Sequence, residues 1–423
     1  MTEQISSIAA TTSDAEFTSI RAYTDADLPR VLGILKRDQE LLDMLARYRM
    51  RRLCGLSPLL ARWILKLVLN RRLTGVTTIF ELQERITGYY FFHMLESSVT
   101  SLDITGLEHL PASGGALLVS NHRDIVLDPA FVDYALYTKR RTTARLATGD
   151  NLATIPFARE LMRLNKSFWV KRNESSPRQL LANLKTLSRY IRLSILDDQE
   201  LVWLAQREGR AKNGLDTTEE AVLKMLRLAD NKMDWQQTLA QLRPIPTSIA
   251  YEYDPCDLAK ATELVTRART GAQQKDDTTS VTTSIMVPKG RVAIHFGEIL
   301  SSAEITSSGE LAQQLDLAIK GSYRLFASNY TALAMLVEEG AGTDSAMAES
   351  ILQTSLADFV AASNWLTAVA ADEEAGHTDQ DFVARVNAVG DPLVRRVMLG
   401  MYANPCVSRW RVLNPVAGSA AVS

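Results

Sequence analysis

The sequence predicts an α/β protein: a mostly parallel sheet flanked by helices, with helical N-terminal and C-terminal units. Two observations carry the prediction. Short apolar runs recur through the middle of the chain, at 116–119, 145–148, 168–170, 201–205, 248–251 and 291–296, and segments with helical periodicity such as 177–196 and 217–228 lie between them. Strand and helix in alternation bury a parallel sheet between helical layers. On both sides of this region the strand signals vanish and apolar residues recur at spacings of three and four.

Residues 1–16 are rich in Ser, Thr and Ala and are expected to be disordered. Helical periodicity begins at Thr24-Asp25, with Leu28, Val31, Leu32, Ile34 and Leu35, then Leu41, Leu42 and Leu45. Pro58 marks a further helix start, along which Leu59, Leu60, Ile64, Leu67 and Val68 are expected to line one face. His93 follows an aromatic stretch, Tyr89 to Phe92, and is expected to pack there. The chain thus divides into a helical N-terminal unit over 17–97, an α/β unit over 98–300 and a helical C-terminal unit over 301–423. In the last, amphipathic helices are expected over 310–335 and 346–371, followed by a fraying tail from 412. A chain of 423 residues is too long for one ordinary core, which agrees with several units.

A formal charge of -2 excludes a protein built to coat nucleic acid, so no nucleic-acid partner is expected. Cys54, Cys256 and Cys406 are far apart, giving neither a disulfide framework nor a metal spacing; a reducing compartment is expected, with no metal and no cofactor. The first residues lack the basic-then-apolar pattern of a secretory signal. The most apolar run, Leu59 to Leu69, is broken by Arg62 and Lys66 and falls short of the roughly 20 residues that span a bilayer. Between Asp43 and Glu81 there is no acidic residue, while Arg47, Arg49, Arg51, Arg52, Arg62, Lys66, Arg71 and Arg72 all fall there. Cations beside an apolar face suit an anionic membrane surface, although a solvated helix packed on the α/β unit fits the same pattern. The expected location is cytoplasmic, peripheral on the inner face of the membrane.

Among five histidines, His122 stands apart because it falls just past the carboxyl end of an apolar run, where open α/β sheets place their chemistry. Imidazole can take a hydroxyl proton near neutral pH, and a carboxylate on its other nitrogen would fix tautomer and orientation. Asp124 and Asp128 are both candidates for that partner. Asp128-Pro129 also reads as a helix start, with Asp128 as N-cap. His295, inside a strand pattern, reads as structural, and His377 as solvated. Cations follow two strand-like runs: Lys171-Arg172, and the loop Arg207-Glu208-Gly209-Arg210-Ala211-Lys212-Asn213-Gly214. Arginine grips phosphate oxygens bidentately, and Gly209 and Gly214 allow tight turns.

These pieces resemble the glycerophospholipid acyltransferases, which include the glycerol-3-phosphate and 1-acylglycerol-3-phosphate enzymes. The resemblance covers about residues 115–255 in four ordered blocks: Ser120-Asn121-His122 through Asp128-Pro129; Phe168 to Arg172; Arg207 to Gly214; and Pro246 to Tyr251. It implies that His122 deprotonates an acceptor hydroxyl, which attacks the thioester of acyl-CoA or acyl-carrier protein, and that Asp128 orients His122. Arg172, Arg210 and Lys212 would hold the phosphate of a glycerol-phosphate or lysophosphatidate acceptor. Glu208 and Gly209 would shape the acceptor loop, and Pro246 the thioester end of the pocket. Five residues separate His122 from Asp128 where the family has four, so a backbone bulge is required.

Other classes fit less well. His122-Arg123-Asp124 evokes a kinase catalytic loop, but position 129 is Pro, and neither a Gly-rich phosphate loop nor Asp-Phe-Gly occurs. A serine hydrolase would need a Gly-x-Ser-x-Gly elbow, which is absent. A non-catalytic membrane-binding protein and an acyltransferase for another lipid alcohol remain as alternatives.

Overall fold

Residues that read as continuous apolar runs become strands buried on both faces. The computed structural model describes residues 16–140, 142–152, 155–171, 176–272, 283–369 and 373–414. Arg172 therefore lies outside the described residues, as do 1–15 of the expected disordered segment and 415–423 of the expected fraying tail. Seven strands form one sheet: β1 (Val99–Thr105), β2 (Ala116–Ser120), β3 (Arg145–Gly149), β4 (Ser167–Val170), β5 (Leu201–Ala205), β6 (Pro244–Tyr251) and β7 (Gly290–Phe296). Their order is β1-β7-β6-β2-β5-β3-β4, and every pairing is parallel except β6 with β7.

The sheet is central because side chains of period two supply two cores. Leu117, Val119, Val202 and Leu204 point to one face, and Leu118, Leu201, Trp203 and Ile245 to the other. The strand β1 was not apparent from the sequence. It is an edge strand whose exposed and half-buried residues interrupt any apolar run, so no continuous signal marks it.

Seven helices bear on the site and on the flanks of the sheet: α1 (Gln39–Arg49), α2 (Arg51–Leu56), α3 (Pro58–Leu73), α4 (Leu127–Arg140), α5 (Asp257–Thr270), α6 (Ser345–Leu352) and α7 (Pro392–Leu413). The helix α3 turns the expected apolar face outward. It buries Ala61 and Leu65, which meet Leu42 and Ala46 of α1, and leaves Leu59, Leu60, Leu67 and Val68 exposed. His93 is exposed as well, rather than packed. In the C-terminal flank each expected long helix is broken in two, giving Ser308–Ser322 and Ala327–Glu339, then α6 and Leu356–Val369. The shorter pieces wrap α7, whose apolar residues from Leu393 to Val407 fill one core with Leu333, Phe359 and Phe382.

Candidate active site

The loop after β2 is fastened before it does anything else. Asn121 continues the strand pairing with its side chain: Nδ2 donates to the Ile249 carbonyl at 2.9 Å, and Oδ1 accepts from the Ile249 N–H at 2.8 Å. The next residue, His122, accepts from the Ala211 N–H at 2.9 Å through its carbonyl. Its ring meets Trp203 edge-on at 5.7 Å between centroids.

His122 Nδ1 lies 2.9 Å from Asp128 Oδ2. That carboxylate is fully buried and saturated. Oδ2 also accepts from the N–H groups of Arg123 at 2.6 Å and Asp124 at 2.9 Å, while Oδ1 accepts from the Tyr251 hydroxyl at 2.8 Å. Burial, and then the Asp128 carboxylate, raise the Tyr251 hydroxyl well above its ordinary pKa, so Tyr251 stays a donor. With Nδ1–H committed to Asp128, the neutral ring presents the lone pair of Nε2.

The helix start corrects the expected cap. Asp124, not Asp128, caps α4: its Oδ1 accepts from Val126 N–H at 3.0 Å and Leu127 N–H at 2.9 Å. Burial first, and Asp128 second, raise the Asp124 pKa. Asp128 sits inside the first helical turn. The turn at Ile125-Val126, pinned by Asp124, absorbs the extra residue between His122 and Asp128.

His122 opens into a cavity of about 960 Å³. One side is aromatic and apolar, lined by Phe80, Phe91, Phe92, Tyr134, Tyr137 and Met162. The other carries Arg207, Glu208, Gly209, Arg210 and Lys212, joined at the mouth by Arg267 of α5 and Gln353 just past α6. Lys212 forms an ion pair with Glu263, and Glu208 is exposed. Two sequence-predicted residues do not reach the cavity lining. Lys171 turns away to donate to Ser19 Oγ at 3.2 Å, and Pro246 is buried in β6 beside Val119 of β2.

Sequence reasoning missed the groups that hold this loop. Arg123 is buried, stacks over the Tyr323 ring at 5.2 Å, and donates to the Gly214 carbonyl at 3.2 Å and Asp216 Oδ2 at 2.5 Å. Burial works against its charge, but Asp216, Tyr323 and Asp254 together outweigh it and raise the Arg123 pKa. Lys260, also buried, donates to the Arg123 carbonyl at 2.7 Å and to Asp254. Asn404 of α7 donates to the Asn213 carbonyl at 2.7 Å. Gly214 has φ +82 and lies so close to α7 that a Cβ would stand 2.1 Å from the Met401 carbonyl oxygen. That oxygen lacks its usual helical partner because residue 405 is proline.

No curated protein matches the chain. Among solved structures, the 1-acyl-sn-glycerophosphate (LPA) acyltransferase PlsC from Thermotoga maritima aligns at 14% identity over 66% of this chain and 93% of its own, with a TM-score of 0.35, which is too loose to transfer any detail. Residues 101–227 match the family model described as Acyltransferase, a span that holds His122, Asp128 and the loop from Arg207 to Gly214. On that match this stretch, under a third of the chain, is similar to the acyltransferases, and it supports acyl transfer as the chemistry of the site.

Proposed function

We propose that this enzyme moves a fatty acyl group from a thioester, acyl-CoA or acyl-carrier protein, to a hydroxyl of glycerol 3-phosphate or lysophosphatidate at an anionic membrane surface. The observation that carries this reading is His122 held by a saturated Asp128 where an aromatic lobe meets a cationic loop. His122 Nε2 takes the acceptor hydroxyl proton as that oxygen bonds to the thioester carbonyl carbon. The C–S bond then breaks, and the leaving thiolate takes the proton back from His122. Asp128 stabilises the imidazolium formed between these steps. Arg210, with Arg207 and Lys212 beside it and Gly209 (φ +76) turning the backbone, faces the acceptor phosphate. The family resemblance assigns Arg172 to the same phosphate and Glu208 to the acceptor loop, whereas Pro246, buried in β6, does not shape the cavity directly.

Membrane contact rests on a second observation. Leu56, Leu59, Trp63 and Leu67 of α2 and α3 are 85%, 75%, 62% and 58% exposed, with Arg51, Arg52, Lys66 and Arg71 exposed around them. Large contiguous apolar surface rimmed by cations suits a lipid interface. Among the described residues no helix is long and apolar enough to cross a membrane.

The test is thiol release from acyl-CoA with glycerol 3-phosphate, lysophosphatidate and unphosphorylated alcohols as acceptors. His122→Ala is expected to abolish release while leaving the circular dichroism spectrum and melting temperature unchanged. Wild-type turnover by that variant would remove His122 from the mechanism. Equal use of unphosphorylated alcohols would move the enzyme to another lipid-alcohol acceptor.

A further inference from the structure

The aromatic lobe should be apolar throughout if it takes a plain hydrocarbon chain, and it is not. One face of α4, Val126, Pro129, Ala130, Asp133, Tyr134 and Tyr137, lines it at helical spacing and so tracks its length. The strands set the depth. Leu118, Trp203, Leu146 and Ser167 form one cross-strand row that starts two residues below the carboxyl end of β2; the Trp203 ring reaches from it to the His122 ring, while Leu146 and Ser167 lie on the next two strands out.

Polar groups gather at that depth. Gln83, only 8% exposed, opens a π-helical segment, Gln83–Gly88, a distortion that favours functional sites. Its Oε1 accepts from the Thr143 hydroxyl at 3.0 Å, and its Nε2 has no hydrogen-bond partner among the described residues. The Ser167 hydroxyl, on a residue 4% exposed, has none either. Asp133 commits Oδ1 to the Ala144 N–H at 2.9 Å and keeps Oδ2 open. Burial pushes its carboxyl up to about 7 although the residue remains accessible from the cavity. A saturated chain threaded past these groups would leave two buried donors and a carboxyl oxygen unpaired, which is unfavourable.

We propose that Gln83, Asp133 and Ser167 form a hydrogen-bonding station that selects acyl donors oxygenated in mid-chain, by a hydroxyl or keto group. This rests on the reading of the lobe as the acyl-chain site. A hydroxyl can donate to Asp133 Oδ2 and accept from Ser167 or Gln83 Nε2, whereas a keto oxygen accepts from Ser167 and Gln83 alone. A site built around such bonds discriminates against the chain lacking the oxygen more strongly than an apolar pocket discriminates by size.

The experiment compares kcat/KM for a saturated acyl-CoA and for the same chain carrying a mid-chain hydroxyl, with wild type, Ser167→Ala and Gln83→Met. Wild type is expected to prefer the hydroxylated chain by about tenfold or more, and each variant to shrink that ratio while using the saturated chain at least as well. Equal kcat/KM for both chains in wild type, or a ratio that both variants leave intact, overturns the proposal. So does a variant that merely accepts longer saturated chains, because the polar groups would then act as a stop. Turnover of the saturated chain tests acyl transfer itself, separately from the ratio. If neither donor turns over, fluorescence titration of Trp203 with the two free fatty acids still decides, equal affinity overturning the station.

Discussion

In α7 the residues from Leu393 to Val407 are buried turn after turn, whereas α3, of similar apolar content, buries only Ala61 and Leu65. The two helical flanks of the sheet thus handle hydrophobic side chains in opposite ways. The C-terminal flank closes on itself, uses Asn404 to hold the loop that carries Arg210, and packs Met401 closely against Gly214 of that loop. The N-terminal flank keeps Leu59 and Trp63 in the open with cations alongside. One flank uses its apolar surface to position the site; on the proposed reading, the other uses it to bring the site to its lipid.

The sharpest way to break this contrast is to make α3 polar. Leu59→Gln combined with Trp63→Gln removes two side chains that would be buried in the interface, about 4 kcal/mol of vesicle binding. Folding stability is expected to stay within about 0.5 kcal/mol, since neither residue is buried in the protein. Sedimentation with anionic vesicles measures the first, thermal melting the second. A melting temperature that falls while vesicle binding holds would mean that these residues pack rather than dock.

The same change of character on the other flank acts on the fold. Gly214→Ala places a Cβ against the Met401 oxygen and a side chain at φ +82, and should cost about 3 kcal/mol. Melting temperature and thiol release should fall together, because Gly214 also gives its carbonyl to Arg123 beside His122. Loss of neither would mean that α7 and the loop move apart freely.

Legibility in the sequence tracks how local each signal is. The strands β2 and β5 are buried on every residue but one and read directly as apolar runs, whereas β1, half-exposed at an edge, did not. His122 and Asp128 were legible because one loop holds both. Their geometry was not: Asp-Pro suggested a cap at Asp128, and only the fold shows Asp124 taking the cap and freeing Asp128 for His122. Arg123, Lys260 and Asn404 left no trace, since their loop-holding contacts span 91, 137 and 191 residues of sequence. The outward face of α3 was legible only in part. Helical periodicity reports that apolar residues share a side, not whether protein or another phase covers it.

Asn404→Ala is a gentler probe of the C-terminal flank. It removes a donor to the Asn213 carbonyl, at a cost of about 1.5 kcal/mol, and leaves the helix otherwise intact. Because Asn213 follows Lys212 in the cationic loop, the Michaelis constant for a phosphorylated acceptor should rise more than that for the acyl donor. Equal changes in both would place the effect on the fold at large rather than on the acceptor side.

The smallest expected effect separates charge from apolar contact on the N-terminal flank. Arg51→Gln removes one exposed cation and should weaken binding to anionic vesicles by about 1 kcal/mol at low salt, with folding unchanged. Salt discriminates its origin. At about 1 M ionic strength the Debye length falls to about 3 Å, so the deficit of Arg51→Gln should vanish, while that of Leu59→Gln with Trp63→Gln should persist. Arg72 is the wrong residue for this test, because its guanidinium already lies 3.9 Å over the Tyr89 ring and its removal would disturb packing as well as charge. A deficit for Arg51→Gln that survives high salt would show that the arginine contributes through its apolar stem, and the cations of this flank would then extend its apolar face rather than steer it.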